Sequence, residues 1–250
     1  ASPACDHFIR QEWAAYTEEQ HQIWQTLFQR RMAQLQTVAC REYLEGAEVI
    51  GLSPDSIPEL TLLNFKLKAR TGWSAVPVSG FLDAAPFFQC LAGRRFPTTV
   101  TIRPMDQLEY LPEPDIFHDV FGHVPMHSDP VFADFLQLFG QVAAQAQDPA
   151  AVQAVTRLFW FTVEFGLIRQ QDGMKVYGSG LISSMADCAN ALSPTCERKS
   201  FSLDKVLRQP FAIDQLQPVL YVVESVAQLF DAVAELKARM RDGMLGEIET

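Results

Sequence analysis

The sequence lacks the features that mark membrane, secreted and nucleic-acid-binding proteins. No stretch approaches the roughly 18 uninterrupted apolar residues of a membrane-spanning helix. The first residues contain no basic segment followed by an apolar one, so we expect no secretory signal. Acidic residues outnumber basic ones, and the formal net charge is −10 at pH 7. Because nucleic acids and anionic membrane surfaces attract basic patches, we expect neither as a partner.

Cysteine is sparse and irregularly spaced. The chain has five cysteines, an odd number, and no Cys-x-x-Cys pair. That spacing excludes a zinc ribbon and favours free thiols over a disulfide scaffold. We therefore expect a cytoplasmic protein, because the cytoplasm keeps thiols reduced.

The chain also has no fixed-period repeat, low-complexity tract or linker rich in proline and serine, so nothing marks a domain boundary. Its 250 residues, of which 48% are hydrophobic, are enough to bury a sizeable core. We expect residues 1–250 to form a single domain.

Hydrophobic periodicity predicts a mainly α fold with a few short β-strands. Thr17-Glu-Glu-Gln20 has the form of a capping box, and apolar residues follow at helical spacing to about Tyr43. Between Gly72 and Arg103, β-branched pieces broken by proline and glycine predict loops and small strands. The periodicity predicts further helices at about 56–71, 131–146, 150–170, 181–192, 203–208 and 220–244, with a strand-like piece at 211–214.

Two histidines and one glutamate carry the strongest chemical signal. His118 and His123 are five residues apart, and Glu164 lies in the run 158–167, which is otherwise almost free of polar residues. A lone acid in such a run is costly to bury unless a cation lies beside it. Two imidazoles and one carboxylate form the ligand set of non-haem Fe(II) centres with open positions for oxygen. The sequence therefore predicts an oxygenase.

The spacing of the two histidines needs a break in the helix. On a straight α-helix, residues five apart differ in direction by about 140°. Gly122 precedes His123 and Pro125 follows it, so we expect the helix to end with Gly122 in the left-handed conformation. His123 would then lie just past the helix end and could share an ion with His118.

Two other interpretations stay open on the residues alone. The same three residues could hold zinc in a hydrolase with Asp119 as general base, although the spacing does not match the His-Glu-x-x-His form. Alternatively, the motif could be incidental in a helical structural or binding module.

Three longer motifs resemble the pterin-dependent aromatic amino acid hydroxylases, and among them the bacterial phenylalanine hydroxylases. They occur in order along the chain: 112–125 (Pro-Glu-Pro-Asp-Ile-Phe-His-Asp-Val-Phe-Gly-His-Val-Pro), 160–167 (Trp-Phe-Thr-Val-Glu-Phe-Gly-Leu) and 177–184 (Tyr-Gly-Ser-Gly-Leu-Ile-Ser-Ser). The resemblance implies a single helical catalytic domain without the regulatory domain or tetramerisation helix of animal members. We expect a monomer.

The resemblance also implies a role for individual residues. The iron ligands would be His118, His123 and Glu164. In the substrate pocket, Arg103 would hold the carboxylate of the amino acid, and Asp115 would orient Arg103. Trp160 would form a wall for the aromatic ring. The other residues of the pocket would be Pro114, Gly180 and Ser183. A guanidinium suits the carboxylate because its fork donates two parallel hydrogen bonds. The pterin site would contain Val78, Gly80, Leu82 and Phe87, with Phe87 stacked on the flat ring.

The implied reaction is hydroxylation of L-phenylalanine to L-tyrosine, a step of phenylalanine catabolism. Iron(II) and a tetrahydropterin, either tetrahydrobiopterin or a bacterial equivalent, would activate O2 together, so the partners would be small molecules only. Tryptophan or another aromatic amino acid is the alternative substrate. Trp160 favours phenylalanine, because tryptophan hydroxylases tend to have a smaller residue there. Asp119 replaces a family glutamate beside the first histidine, and Phe159 replaces a tyrosine of the animal enzymes.

Overall fold

Helices dominate the computed structural model, which describes residues 7–108 and 114–245. Pro112 and Glu113, at the start of the histidine motif, and Cys5 lie outside these ranges. The α-helices of the described residues are α1 (Glu18–Val38), α2 (Arg41–Ile50), α3 (Leu60–Thr71), α4 (Ala84–Ala92), α5 (Val124–His127), α6 (Pro130–Ala143), α7 (Pro149–Phe159), α8 (Ser179–Ser183), α9 (Met185–Leu192), α10 (Leu203–Arg208) and α11 (Val226–Arg241). The predicted mainly α fold is confirmed. None of these helices has the length and apolarity to cross a membrane.

Two π-helical segments extend or precede these helices, and both carry candidate ligands. The first, π1 (Phe117–His123), leads directly into α5, and the second, π2 (Trp160–Glu164), continues α7. A π-helix has hydrogen bonds between residues five apart and is rare outside functional sites. Hydrophobic periodicity gives no signal for such a segment, so the sequence did not predict either one.

The strands form two small sheets. A parallel pair joins β1 (Ser74–Val78) to β2 (Arg95–Thr99), and a four-stranded sheet has the order β4-β3-β6-β5. The strands of the second sheet are β3 (Leu167–Gln170), β4 (Gly173–Val176), β5 (Glu197–Ser200) and β6 (Val219–Val223). The first sheet confirms the small strands predicted between Gly72 and Arg103, but helix α4 also lies in this range, where the sequence predicted only loops and strands.

Helix α1 begins where the capping box predicts and ends earlier than expected. The Thr17 hydroxyl accepts from the Gln20 backbone N–H, and the Gln20 side chain accepts from the Thr17 N–H. The helix ends at Val38 and not near Tyr43, because the next residues are extended. The N–H of Cys40 there donates to the carbonyl of Val176 in β4 at 2.9 Å. A long-range backbone hydrogen bond therefore overrides the helical periodicity.

The second half of the chain contains the larger errors of prediction. The helix predicted over 150–170 ends at Glu164, and β3 begins at Leu167. The predicted strand at 211–214 is absent, and the predicted helix over 220–244 starts only at Val226, because 219–223 is β6. Strand β6 lies between β3 and β5 and is buried on both faces. A short apolar run of this kind reads equally well as buried helix or buried strand.

One hydrophobic core runs from α1 to α11 and includes residues of both π-helical segments. The rings of Phe117 and Phe121 stack in π1 with centroids 4.5 Å apart, and Trp24 and Phe28 of α1 pack edge-on against them. All four side chains are almost fully buried. This aromatic packing stabilises π1, because aromatic pairs add about 0.5–1.5 kcal/mol beyond the area that they bury.

Helix α8 packs directly on the end of π2, and a glycine permits the approach. A Cβ atom at Gly178 would lie 2.4 Å from the backbone nitrogen of Gly166 and 2.5 Å from the carbonyl oxygen of Glu164. No side chain fits at these distances, and both neighbours are backbone atoms that cannot swing away. Gly178 therefore brings α8 against the residue that carries the candidate carboxylate ligand.

We expect Gly178→Ala to lower the free energy of unfolding by about 1–3 kcal/mol, the usual cost of overpacking a tight site. Thermal unfolding followed by circular dichroism measures this loss. Gly80→Ala is the matched control, because a Cβ atom at Gly80 meets nothing within 4 Å. Equal stability of the two variants would contradict the close contact between α8 and π2.

Candidate metal centre

The first candidate ligands, His118 and His123, lie on π1 with their ring centroids 5.1 Å apart. The expectation that a helix ends at Gly122 is wrong. Gly122 is not among the residues with positive φ, and the chain continues through π1 into α5. The wider π-helix can nevertheless point both histidines towards one ion. It places residues five apart on the same side, as an α-helix does with residues four apart.

The third candidate ligand, Glu164, is the last residue of π2. The N–H of Phe165 donates to the carbonyl of Trp160, five residues earlier, at 2.9 Å. Glu164 Oε1 lies 3.0 Å from His123 Nε2, and Glu164 Oε2 lies 3.6 Å from His118 Nε2. Within residues 7–108 and 114–245, this is the only group of three His, Cys, Asp or Glu residues whose ligand atoms converge, all within 4.8 Å of one another.

These separations suit one divalent ion. Bonds of roughly 2.1 Å at right angles place neighbouring ligand atoms about 3 Å apart. The two measured nitrogen–oxygen distances are close to that value. Three protein ligands on one side of an octahedral ion leave the remaining positions open, which is the arrangement of non-haem Fe(II) oxygenases.

Hydrogen bonds from α8 orient two of the three side chains. The Ser183 hydroxyl donates to the carbonyl of Ser179 at 2.9 Å, so it can only accept from Nδ1 of His118, which is also 2.9 Å away. Nδ1 of His118 therefore carries the ring proton, and Nε2 presents its lone pair towards Glu164. The Ser179 hydroxyl donates to Oε2 of Glu164 at 2.7 Å. A hydrogen bond of this kind fixes the orientation of a metal ligand.

The electrostatic environment keeps His118 and Glu164 in the protonation states that a metal needs. Burial lowers the pKa of His118 to about 4, so its ring is neutral at pH 7. Burial alone would raise the pKa of Glu164, but the facing imidazoles of His123 and His118 and the hydroxyl of Ser179 outweigh it and lower the pKa to about 2. No lysine or arginine of the described residues pairs with this carboxylate. A largely buried carboxylate that stays ionised without a lysine or arginine partner favours a bound cation.

Arg103 and Asp115 form a buried bidentate ion pair. Arg103 Nε lies 2.8 Å from Asp115 Oδ2, and Arg103 Nη2 lies 2.9 Å from Oδ1. The Arg103 guanidinium outweighs burial and lowers the pKa of Asp115. Oδ1 also accepts from the backbone N–H of His118 at 2.9 Å. The predicted carboxylate-binding arginine is therefore tied to the first residues of π1. Pro114 immediately precedes Asp115 and is half-buried.

The indole of Trp160 stands at the start of π2 and is half-buried. Its ring stacks on Phe211 with centroids 4.4 Å apart and 20° between planes, and its Nε1 donates to Oε1 of the buried Gln217 at 3.2 Å. Gln217 is in turn held by the carbonyls of Ala212 and Gln215. This ring is fixed on one side, as a wall for a second aromatic ring would be. Gly180 is buried, and a Cβ atom there would lie 2.9 Å from the Phe165 ring.

The predicted pterin residues extend from the last residue of β1, Val78, through the following loop to Phe87 in α4. The side chains of Val78 and Leu82 are buried, so only their backbone groups are available to a ligand, and Gly80 has open space around it. Phe87 is half-buried and packs at 89° against Phe159, with centroids 5.5 Å apart. Phe159 in turn lies parallel to the ring of His123 at 6.4 Å. This group of residues borders the metal centre through Phe159.

Sequence reasoning missed several residues that support the site. It left Ser179 without a role, and it assigned Ser183 to the substrate pocket alone. Asp119 is buried and accepts from the backbone N–H and the hydroxyl of Thr99 at 2.7 Å each. This carboxylate fastens π1 to β2, which makes it a poor general base for a hydrolase. The only sequence signal for Ser179, Ser183 and Asp119 was that each is a polar residue inside a mostly apolar motif.

Comparison with known proteins gives consistent matches over nearly the whole chain. A family model for biopterin-dependent aromatic amino acid hydroxylases matches residues 10–244. Phenylalanine-4-hydroxylase from Caulobacter vibrioides is 40% identical over 97% of this chain and 85% of its own length. The one from Chromobacterium violaceum is 42% identical over 92% of this chain and 78% of its own length. A crystal structure of the Chromobacterium violaceum enzyme with bound iron(III) and 7,8-dihydrobiopterin has a TM-score of 0.90 and 41% identity, covering 97% of this chain and 89% of that one.

We expect Ser183→Ala to weaken Fe(II) binding by about 10- to 100-fold, the usual effect of removing the partner of a ligand histidine. The loss follows because Nδ1 of His118 no longer has an acceptor that selects the ring tautomer. Anaerobic titration with Fe(II) measures the affinity. Ser225→Ala is the control, because Ser225 is exposed and makes no cap hydrogen bond. Equal affinity in both variants would contradict the orienting role of Ser183.

We expect the ring of His118 in the metal-free protein to titrate near pH 4 and not near the ordinary value of 6.5. Because burial lowers the pKa in the folded state, protonation favours the unfolded chain, and the metal-free fold should lose stability as the pH falls from 6.5 towards 4. Nitrogen-15 NMR of the imidazole reports the midpoint. A midpoint at pH 6 or above would contradict the buried, neutral ring.

Proposed function

Because the chain belongs to the biopterin-dependent aromatic amino acid hydroxylase family, we propose that it hydroxylates the ring of L-phenylalanine to give L-tyrosine, using iron(II), a tetrahydropterin and O2. The family resemblance that the three motifs indicated is confirmed. The proposal extends to this chain the activity for which its relatives are named. It also extends to this chain the iron and dihydrobiopterin that are bound in a homologous structure.

One observation carries the proposal. Nε2 of His118, Nε2 of His123 and the carboxylate of Glu164 converge from two π-helical segments, and hydroxyls of α8 fix two of them. The imidazole of His118 is neutral and the carboxylate is ionised at pH 7, as ferrous iron requires. When bound, iron and the reduced pterin supply the oxygen activation. The protein supplies placement and exclusion of water.

The remaining site residues act on the amino acid. Arg103 is held rigidly by Asp115, and its guanidinium lines a small cleft together with Ser183. We propose that the carboxylate of the substrate binds there, while Trp160 holds the aromatic ring. Phe87 and the loop at 78–82 are proposed to hold the pterin next to His123. Fixing the reactants in this way lowers the barrier by removing their freedom of motion.

The two alternative functions have less support. A zinc hydrolase needs a general base beside the metal, and Asp119 is instead engaged by Thr99. Tryptophan as substrate would need more room than phenylalanine in the pocket that Trp160 borders. We propose phenylalanine as the preferred substrate, with another aromatic amino acid as the alternative.

We further propose that the protein works as a monomer in the cytoplasm. Its buried cysteines in the described residues are all free thiols, which fits a reducing compartment. Analytical ultracentrifugation of the purified protein tests the oligomeric state, and a dimeric sedimentation coefficient would refute the monomer.

The decisive experiment supplies iron(II), tetrahydrobiopterin and O2 with phenylalanine, tryptophan or tyrosine in turn. We expect tyrosine from phenylalanine, with one pterin oxidised for each tyrosine formed, and slower product formation from the other two amino acids. Mass spectrometry and oxygen uptake measure the products and the stoichiometry. Absence of oxygen uptake with all three substrates would refute the proposed reaction.

We expect Glu164→Ala to abolish retention of iron while the protein keeps its helical circular dichroism spectrum. The carboxylate is the one acidic ligand of the three, and Glu164 is not a member of the hydrophobic core. Iron content after dialysis measures the effect. Glu224→Ala, which changes an exposed carboxylate paired with Arg169, is the control. Full iron content in the Glu164 variant would place the metal elsewhere.

A further inference from the structure

Arg31 is a buried arginine that has no role so far, although it lines the same small cleft as Arg103 and Ser183. It lies on α1 and is 1% exposed, yet no carboxylate of the described residues forms an ion pair with it. A guanidinium without a counter-ion in a protein interior is costly, so its hydrogen bonds must offset that cost. Its partners are therefore informative.

The guanidinium of Arg31 binds the backbone of α8. Nε donates to the carbonyl of Ile182 at 2.8 Å, and Nη2 donates to the carbonyl of Leu181 at 3.0 Å. Nη1 donates to the side chain of Gln34, one turn along α1. Charge-assisted hydrogen bonds are roughly twice as strong as neutral ones. The rigid fork lets one side chain hold two successive carbonyls at once.

Helix α8 needs an external support of this kind. It has only five residues, from Ser179 to Ser183, and a helix this short is unstable on its own. The carbonyls of the last turn of any helix also lack partners within the helix. Leu181 and Ile182 are in that turn, and Arg31 supplies the missing donors.

The same five residues orient two metal ligands. Ser179 donates to the carboxylate of Glu164, and Ser183 accepts from the ring of His118. The two serines are at the two ends of α8, and the carbonyls that Arg31 holds lie between them. A shift of α8 would therefore displace both ligands together.

We propose that Arg31 is a positioning residue for the metal centre: by clamping the carbonyls of Leu181 and Ile182, it fixes Ser179 and Ser183 and, through them, Glu164 and His118. Arg31 is not one of the three candidate ligands, so it would act on the metal only through α8. This inference rests on the proposed function, because it assumes that the three ligands bind a divalent ion. The chain of contacts runs from α1 through α8 to ligands on both π-helical segments.

The test uses Co(II) as a spectroscopic probe for the metal, in the full-length protein. Visible absorption of bound Co(II) reports the ligand geometry, and titration gives the affinity. We expect Arg31→Lys, which keeps the charge but loses the fork, to weaken Co(II) binding roughly tenfold and to change the absorption spectrum. Arg31→Met should have at least the same effect. Gln34→Ala, a change at an exposed side chain, should give a smaller change in the same direction.

Arg157→Lys is the matched control. Arg157 is also a buried arginine that donates to a backbone carbonyl, that of Leu207 in α10. This variant should lose thermal stability and keep the wild-type Co(II) spectrum. Loss of stability without any change of affinity or spectrum in Arg31→Lys and Gln34→Ala would overturn the inference, because Arg31 would then be a purely structural residue. If the wild-type protein itself binds no Co(II), the proposed metal centre fails and the inference fails with it.

Discussion

The structure of the site depends on one unfavourable placement, that of the largely buried Glu164 carboxylate without a lysine or arginine of the described residues beside it. In the described residues its partners are the imidazoles of His118 and His123 and the hydroxyl of Ser179, and the imidazole of His118 is neutral at pH 7. A carboxylate in this position is stable only when a cation joins it or when it takes up a proton. The low pKa that the surrounding donors give Glu164 works against protonation. The site is therefore organised around an ion, and the neighbouring residues serve to hold the carboxylate and the imidazoles in place.

The two π-helical segments carry the three candidate ligands and bring them together. Helices of this type are rare, because their backbone hydrogen bonds have poorer geometry than those of an α-helix. Here Trp24 and Phe28 of α1 pack against the stacked rings of Phe117 and Phe121 in π1, and α8 packs against the end of π2. The packing energy of the core thus offsets the cost of the unusual backbone. The π-helical backbone brings the candidate ligands His118 and His123, which are five residues apart, onto one side of π1. It also makes Glu164 the last residue of π2.

Three charged side chains near the site have different roles: Arg103 is proposed to bind the substrate, whereas Arg31 and Asp119 hold structural elements in place. The guanidinium of Arg103 is neutralised by Asp115, so it offers directed hydrogen bonds with little net charge. Arg31 keeps its positive charge and directs it at backbone carbonyls. Asp119 fastens π1 to β2 through Thr99, where burial raises its pKa to about 7. None of these three groups is a metal ligand, yet each determines where a ligand or a substrate group lies.

The sequence by itself indicated the candidate ligands, the chemistry proposed for them and the fold class. The isolated Glu164 in an apolar run and the paired histidines follow from local composition, and the start of α1 follows from a local capping box, because each is a property of neighbours along the chain. Only the tertiary structure decided the π-helical backbone in place of a glycine helix end, the strand at 219–223, and the roles of Ser179, Ser183 and Arg31. Each of these is set by contacts between residues far apart in sequence: Arg31 reaches a carbonyl 151 positions away. The local sequence pattern contains no information about such contacts, so only the packing of the folded chain determines them.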